Sequence, residues 1–276
     1  MLYRDTAIFS DLDGTLFNSD SVISEENLAA IRAYTEAGGL FAIATGRSFP
    51  NSVYYMKTFV PNAPSIVYNG SGVYDPKTQQ YLYMVEVDRE AILSVLLWCR
   101  ENLPGLETQV YGERMTYYVT PRETATPMLV EQLMPCEFRS VEEIQGIPWF
   151  KTLHYGEPEE TQALYQYLNE SKLNERVEIV RAITGVPPYH EHIELLPKNV
   201  TKGTALNACR DIPCFMGRKL LAIGDYRNDR ELLEAADASF CPSNASDEIK
   251  SICDRILVSN DENAIASLIY DVIPSL

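Results

Sequence analysis

Cations are scarce in this 276-residue chain: 23 Lys and Arg stand against 39 Asp and Glu, a formal net charge of −16. A field of that sign repels phosphate backbones and anionic lipid heads, which argues against nucleic acid or a membrane surface as partner. An anionic substrate would have to meet cations placed locally. The six cysteines (Cys99, Cys136, Cys209, Cys214, Cys241, Cys253) form no C-x-x-C and no cluster with the three histidines, so no zinc or redox motif is written here. They read as reduced, mostly buried thiols of a cytosolic protein. No apolar run nears the ~18 residues that a spanning helix needs. The N-terminus, MLYRDTAIFSDLDG, shows no apolar stretch of the secretory kind. Internal repeats and low-complexity segments are missing too. The expectation is a cytoplasmic protein, a monomer or small homo-oligomer, whose 46% hydrophobic content suffices for a core.

What is present begins with AIFSDLDGTLF, residues 7–17. Its apolar run stops at two carboxylates, Asp11 and Asp13, and Gly14 lets the backbone turn tightly behind them. Ser24, Glu25 and Glu26 then open a helix with Leu28, Ile31 and Tyr34 on one face, ended by Gly38 and Gly39. A second apolar run, 40–44, closes on Thr45-Gly46-Arg47; residues 49–58 read as helix, and a third run, 65–68, ends at Asn69-Gly70. Strand, helix, strand, helix, strand implies a parallel sheet with right-handed crossovers.

A hairpin follows around Asp75-Pro76, and the rhythm changes. Helix is expected over 88–102, 122–133 and 158–172, and strands near 107–111, 114–119, 149–155, 176–184 and 189–195. From Lys198 the first rhythm resumes: a helix opening near Thr201, the run 220–223 ending at Gly224-Asp225, and shorter elements to 271. The expected fold class is α/β, a Rossmann-like parallel-sheet core (1–84 and 190–276) split by an inserted α+β domain (85–189).

Polar residues directly follow four apolar strands: Asp11 with Asp13, Thr45, Asn69, and Asp225. In open parallel sheets ligands bind at the carboxyl ends of the strands, so these four tips should converge. Two carboxylates ~5 Å apart repel by roughly 3 kcal/mol at an effective dielectric of about 20. Asp11, Asp13, Asp225 and Asp229 gathered together therefore require a cation, and oxygen ligands with open positions suit Mg²⁺. Lys202, at a helix start, adds positive charge for a phosphate. Thr45 offers a hydroxyl and Gly46 an unobstructed backbone N–H. Metal, carboxylate nucleophile and anion donors together make a phosphoryl-transfer site.

Asp11-Leu12-Asp13-Gly14-Thr15, Thr45-Gly46-Arg47, Lys202 and Gly224-Asp225 with Asn228-Asp229 resemble the four ordered motifs of the haloacid dehalogenase superfamily. Asn69-Gly70 and the size of the insertion resemble its Cof-like branch with a large α/β cap. The resemblance implies Asp11 as the nucleophile that becomes an aspartyl-phosphate and Asp13 as acid/base. It implies Mg²⁺ held by Asp11, the Asp13 carbonyl and Asp225, with Asp229 completing the acidic loop. Thr45 and Lys202 would bind phosphate, and Asn228 would complete the acidic loop with Asp229; Gly46, Asn228, Asn69 and Arg47 are further candidates for holding phosphate or substrate. The dehalogenases resembled lack the second Asp, and an alkoxide leaving group needs its proton, so Asp13 favours phosphatase. Arg227, Arg230 and the pair Pro242-Ser243 depart from the family pattern.

The expected substrate is a small phosphorylated metabolite, a sugar phosphate or a phosphorylated cofactor. A phosphohexomutase is the same-fold alternative; it needs clustered cap arginines, and Arg176 and Arg181 lie at odd separation on a strand. A phosphometabolite sensor is the non-enzymatic alternative, although a sensor requires no nucleophile. His190 and His192 could hold a metal from one strand face, but lack a third ligand. Asp-x-Asp-Gly lacks the remaining acids of a calcium loop. Arg47 either reaches substrate or closes a salt bridge at a helix start. Tyr111, Tyr117, Tyr118, Tyr155, Tyr165 and Tyr167 either stack on a ring or pack half-buried.

Overall fold

The computed structural model describes residues 3–56, 59–125, 136–183 and 191–276. Strand β1 (Thr6–Ser10) is buried along its whole length, since Ala7 and Phe9 meet one apolar layer and Ile8 the opposite one. A strand covered on both faces belongs inside a parallel sheet. Helix α1 (Glu25–Glu36) starts where the Ser24 hydroxyl accepts from the Asn27 N–H, and it buries Leu28, Ala30, Ile31 and Tyr34. β2 (Leu40–Ile43) pairs parallel with β1. Helix α2 (Phe49–Met56) leads to β3 (Ser65–Val67), which joins β2 by one parallel bridge, Ala44 to Ile66. β4 (Gly72–Asp75) and β5 (Gln80–Met84) complete a three-stranded sheet, and the Asp75 carboxylate closes the expected turn by accepting from the Lys77 N–H and the Thr78 hydroxyl.

The chain divides into two compact units, Met1–Tyr83 with Thr201–Leu276, and Met84–Val200. The second unit opens with α3 (Arg89–Asn102), capped by Asp88, and continues through β6 (Glu107–Tyr111), β7 (Thr116–Tyr118) and β8 (Cys136–Phe138). β9 (Lys151–Gly156), α4 (Pro158–Glu170), β10 (Val177–Ile183) and β11 (Glu191–Pro197) follow. Its sheet runs β10-β11-β9-β6-β7-β8. Val110, Ile193 and Leu195 from the sheet pack with Ile92, Val95, Leu96, Leu164 and Leu168 from α3 and α4. The sequence reading starts the returning core at 190, yet β11 pairs along its length with β9 and β10. β8 has no counterpart among the strands expected from the sequence. Of the helix expected over 122–133, a 3₁₀ turn at Arg122–Thr124 is described and residues 126–135 lie outside the described residues.

The first unit resumes with α5 (Lys202–Cys209), β12 (Lys219–Ile223), α6 (Arg230–Ala235), β13 (Ala238–Cys241), α7 (Asp247–Lys250), β14 (Arg255–Ile256) and α8 (Ala264–Ser267). The order is β14-β13-β12-β1-β2, every pair parallel. The chain leaves β1 toward β2 and later returns on its other side through β12, so β1 stands at the topological switch point. Ala205, Leu206, Leu232 and Leu233 cover one face, and Ile31, Tyr34, Ile265 and Leu268 the other.

Candidate active site

Three adjacent strands deliver polar residues just beyond their carboxyl ends: Asp11 after β1, Thr45 after β2, Asp225 after β12. The Asp11 N–H still bonds the Ile223 carbonyl at 2.9 Å, which holds its carboxylate to the edge of the sheet. Gly14 has φ +77°, and a Cβ there would stand 2.4 Å from an Asp225 oxygen, so the turn behind Asp11 packs directly on the other strand's carboxylate. The Thr15 hydroxyl donates to Asp225 Oδ1 at 2.9 Å. Asn244 donates from Nδ2 to the Gly14 carbonyl at 2.8 Å, and the Ser246 N–H to the Asp225 carbonyl at 3.0 Å. Neither Thr15 nor Asn244 was assigned a role from sequence. Thr15 stands inside the motif of residues 11–15, and Asn244 directly follows the departing pair Pro242-Ser243.

Lys202 is buried at the first turn of α5, whose start Thr201 caps by accepting from the Thr204 N–H. Its ammonium donates to Asp11 Oδ1 at 2.7 Å and Asp229 Oδ1 at 2.6 Å. Asp229 Oδ2 accepts from the N–H groups of Asp225 (3.0 Å) and Tyr226 (3.2 Å), so both oxygens of Asp229 are engaged. Gly70, at φ +106°, brings its backbone against this helix start; a Cβ there would lie 2.1 Å from the Thr201 carbonyl oxygen. The local fold thus fixes Lys202 between two carboxylates rather than leaving it pointing into open space.

One group of metal-capable side chains occurs among the described residues: Asp11, Asp225 and Asp229, with one oxygen of each within 4.8 Å of the others. Asp13 stands outside it. Its side chain is 56% exposed and is gripped by Arg47, Nε to Oδ2 at 2.9 Å and Nη2 to Oδ1 at 2.8 Å. Arg47 also donates to Asn51 Oδ1 at 3.1 Å. Thr45 is buried, and its hydroxyl accepts from the Arg47 N–H at 3.1 Å. Asn69, with φ +53°, accepts from Asn228 Nδ2 at 3.3 Å. A Cβ on Gly46 would approach the Asn69 amide to 3.0 Å.

The electrostatics are unbalanced. Burial, and then the neighbouring Asp229, hold the Asp11 carboxyl well above the usual carboxylate range despite Lys202. The same two causes push Asp225 up to about 7. Burial works against the Lys202 ammonium, but Asp11 and Asp229 outweigh it and keep it charged. Three clustered carboxylates to one ammonium leave a deficit of positive charge, and the donors are all oxygen. That donor set fits a divalent hard cation.

The remaining candidates sort differently. Tyr111, Tyr118 and Tyr155 are buried, and Tyr117, Tyr165 and Tyr167 pack against the core of the second unit, so these rings are packing. Arg176 is clamped by Asp88 and Glu90, and Arg181 donates to Gln162 and lies over Tyr165. His190 lies outside the described residues, and His192 joins no metal-capable group among them. Arg227 and Arg230 both pair with Glu248. No helix among the described residues is long and apolar enough to cross a membrane.

Residues 8–269 match the family model described as haloacid dehalogenase-like hydrolase. The chain is 25% identical over 274 residues to an Arabidopsis thaliana protein named endoribonuclease YBEY, chloroplastic, covering 95% of this chain but only 46% of that one. It is 23% identical to the 5-amino-6-(5-phospho-D-ribitylamino)uracil phosphatase YitU of Bacillus subtilis, covering 95% of each. A crystal structure of a haloacid dehalogenase-like hydrolase from Bacteroides thetaiotaomicron superposes with a TM-score of 0.78 at 22% identity, covering 96% of this chain and 98% of that one. A match spanning nearly the whole chain places it: the protein belongs to the haloacid dehalogenase-like hydrolases.

Proposed function

We propose that the protein hydrolyses the phosphate monoester of a small metabolite, a sugar phosphate or phosphorylated cofactor, through an aspartyl-phosphate on Asp11. The observation that carries this reading is the convergence of Asp11, Asp225 and Asp229 on buried Lys202 at the switch point of the sheet. Phosphate monoesters are among the slowest reactions to hydrolyse unaided, with accelerations of up to ~10²¹, so positioning, charge and proton transfer are all required.

Asp11 attacks phosphorus; the new Oδ–P bond forms as the ester O–P bond breaks. Asp13 gives its proton to the departing alkoxide, then takes one from the water that attacks the phosphoenzyme and frees Asp11. Arg47 keeps the Asp13 carboxylate in place for both transfers. Lys202 holds Asp11 in one orientation and lends positive charge to the phosphoryl oxygens. Thr45 and the Gly46 N–H bind the phosphate, with Asn228 and Asn69 steadying that rim. Asp11, the Asp13 carbonyl and Asp225 would hold Mg²⁺, which supplies charge neutralisation at the phosphoryl group. Asp229 anchors Lys202 and completes the acidic group with Asp11 and Asp225.

The test is phosphate release from p-nitrophenyl phosphate and a metabolite panel that includes the ribitylaminouracil phosphate of the Bacillus relative, with Mg²⁺ and with chelator. Turnover that chelator abolishes and Mg²⁺ restores is expected. Asp11→Asn should lower it by on the order of 10⁴-fold or more with the fold intact by circular dichroism. No release from any ester removes the hydrolase reading, and an active Asp11→Asn removes the nucleophile.

A further inference from the structure

The carboxyl end of β13 carries a second feature that the phosphoryl chemistry does not use. Cys241 Sγ and Cys253 Sγ stand 2.8 Å apart, where a covalent S–S bond measures about 2.03–2.05 Å. Both are free thiols; Cys241 is buried and Cys253 half-buried. Cys241 is held by β13, and its carbonyl accepts from the Leu257 N–H at 2.8 Å. Cys253 follows α7, with its N–H on the Ile249 carbonyl at 3.2 Å. The two sulfurs are therefore presented to each other by anchored backbone on both sides.

We propose that Cys241 and Cys253 are a modification site: a thiol pair that hydrogen peroxide closes to a disulfide bridge. With peroxide, the Cys253 sulfur takes one oxygen to become a sulfenic acid, releasing one water. The Cys241 sulfur then attacks it, the S–S bond forms, the S–O bond breaks, and a second water leaves. Two thiols are oxidised and one peroxide is reduced. Cys253 is the entry point because it is the more accessible sulfur. Burial, and then the Cys253 sulfur, hold the Cys241 thiol above its ordinary range, so this sulfur reacts through proximity rather than as a standing thiolate. The bridge would close a loop over residues 242–252, which carries Asn244 and Ser246, the residues bonded to the Gly14 and Asp225 carbonyls.

The test is peptide mapping of the whole protein after peroxide. Trypsin cuts after Arg230, Lys250 and Arg255, so the two cysteines fall on separate peptides, 231–250 and 251–255. The expected result is these peptides joined, at the mass of their sum less two hydrogens, and released by dithiothreitol. Cys253→Ser and Cys253→Ala should each abolish the joined species. A Cys214→Ser background removes the exposed thiol that could pair between molecules. In that background the oxidised protein should unfold a few degrees above the reduced one, and Cys253→Ser should show no such difference. Alkylation of both Cys241 and Cys253 after peroxide has consumed Cys214 in the unsubstituted protein overturns the proposal. Pairing of either with another cysteine, or an unchanged unfolding temperature in the bridged protein, overturns it equally.

Discussion

In the second unit, Lys151 and Glu194 form an ion pair with side chains 4% and 10% exposed, one charge of each sign. His154, fully buried beneath the helices, lies between the Thr108 and Thr152 hydroxyls at 3.2 and 3.0 Å, and burial keeps it neutral by lowering its pKa to about 3. In the first unit, one ammonium faces Asp11 and Asp229, with Asp225 beside them. Buried charge costs stability unless it is paired or hydrogen-bonded, as Glu107 is by Gln109 Nε2 at 2.6 Å, and among the described residues three carboxylates gather at one point in the first unit alone. The two units differ in what their buried polar groups are for. Paired or hydrogen-bonded groups hold a fold together; a surplus of carboxylate at strand ends is what a cation would neutralise under the proposed chemistry.

Removing the ammonium is the harshest way to break that contrast. Lys202→Met leaves Asp11 and Asp229 buried without their partner. Turnover should fall by about 10²–10³, as for loss of a preorganised donor, and unfolding free energy by about 3–5 kcal/mol. Phosphate release and urea unfolding measure the two, and a variant within threefold of the parent rate would mean that Lys202 is only structural. In the second unit, Glu194→Gln removes the anion that pairs with Lys151 and should cost about 3–5 kcal/mol. The double variant Lys151→Met with Glu194→Leu should recover most of it, because matched removal also balances. If the double variant is as unstable as the single, the pair is not a self-contained balance.

The parts of the site legible in the sequence were the local ones. Asp11, Thr45 and Asp225 each follow an apolar run directly, and a strand ending in a polar residue needs no partner to be recognised. Lys202 was expected to face phosphate, but its bonds to Asp11 and Asp229 span 191 and 27 residues and depend on how α5 packs on the sheet. The grip of Arg47 on Asp13, 34 residues away, is equally a product of topology. In the fold, β11 reads as a strand in either unit, and only its pairing with β9 and β10 assigns it. β8 is three residues long and pairs parallel with β7, too short to leave a periodicity.

His154 offers a gentler probe of the balanced side. Its folded pKa of about 3 lies below the ordinary 6.5, so the unfolded chain binds the proton first as pH falls. The stability this group contributes is present above about pH 6.5 and is lost toward pH 3, at up to about 1.4 kcal/mol per pH unit. Between pH 7 and 5 the parent should lose roughly 2 kcal/mol more than His154→Gln, since the carboxylates are common to both and cancel. Parallel urea midpoints for the two proteins across that range would show that the imidazole is not the neutral group described.

Arg47 tests the boundary between the two kinds of buried charge, because its pair with Asp13 is balanced yet half-exposed, 27% and 56%. A surface ion pair of this sort contributes at most about 1 kcal/mol to stability, so Arg47→Ala should leave unfolding nearly unchanged. Its value should lie in aim. A freed Asp13 carboxyl is no longer aimed at the ester oxygen, and misplacement is felt only where a proton transfer is needed. An alkyl phosphate, whose alkoxide cannot leave unprotonated, should therefore lose about tenfold in kcat, about 1.4 kcal/mol in the barrier. p-Nitrophenyl phosphate, whose leaving group departs as a stable phenolate, should lose no more than about twofold. Equal losses on both esters would mean that Arg47 acts on the phosphate rather than through Asp13, and the ion pair would then be incidental.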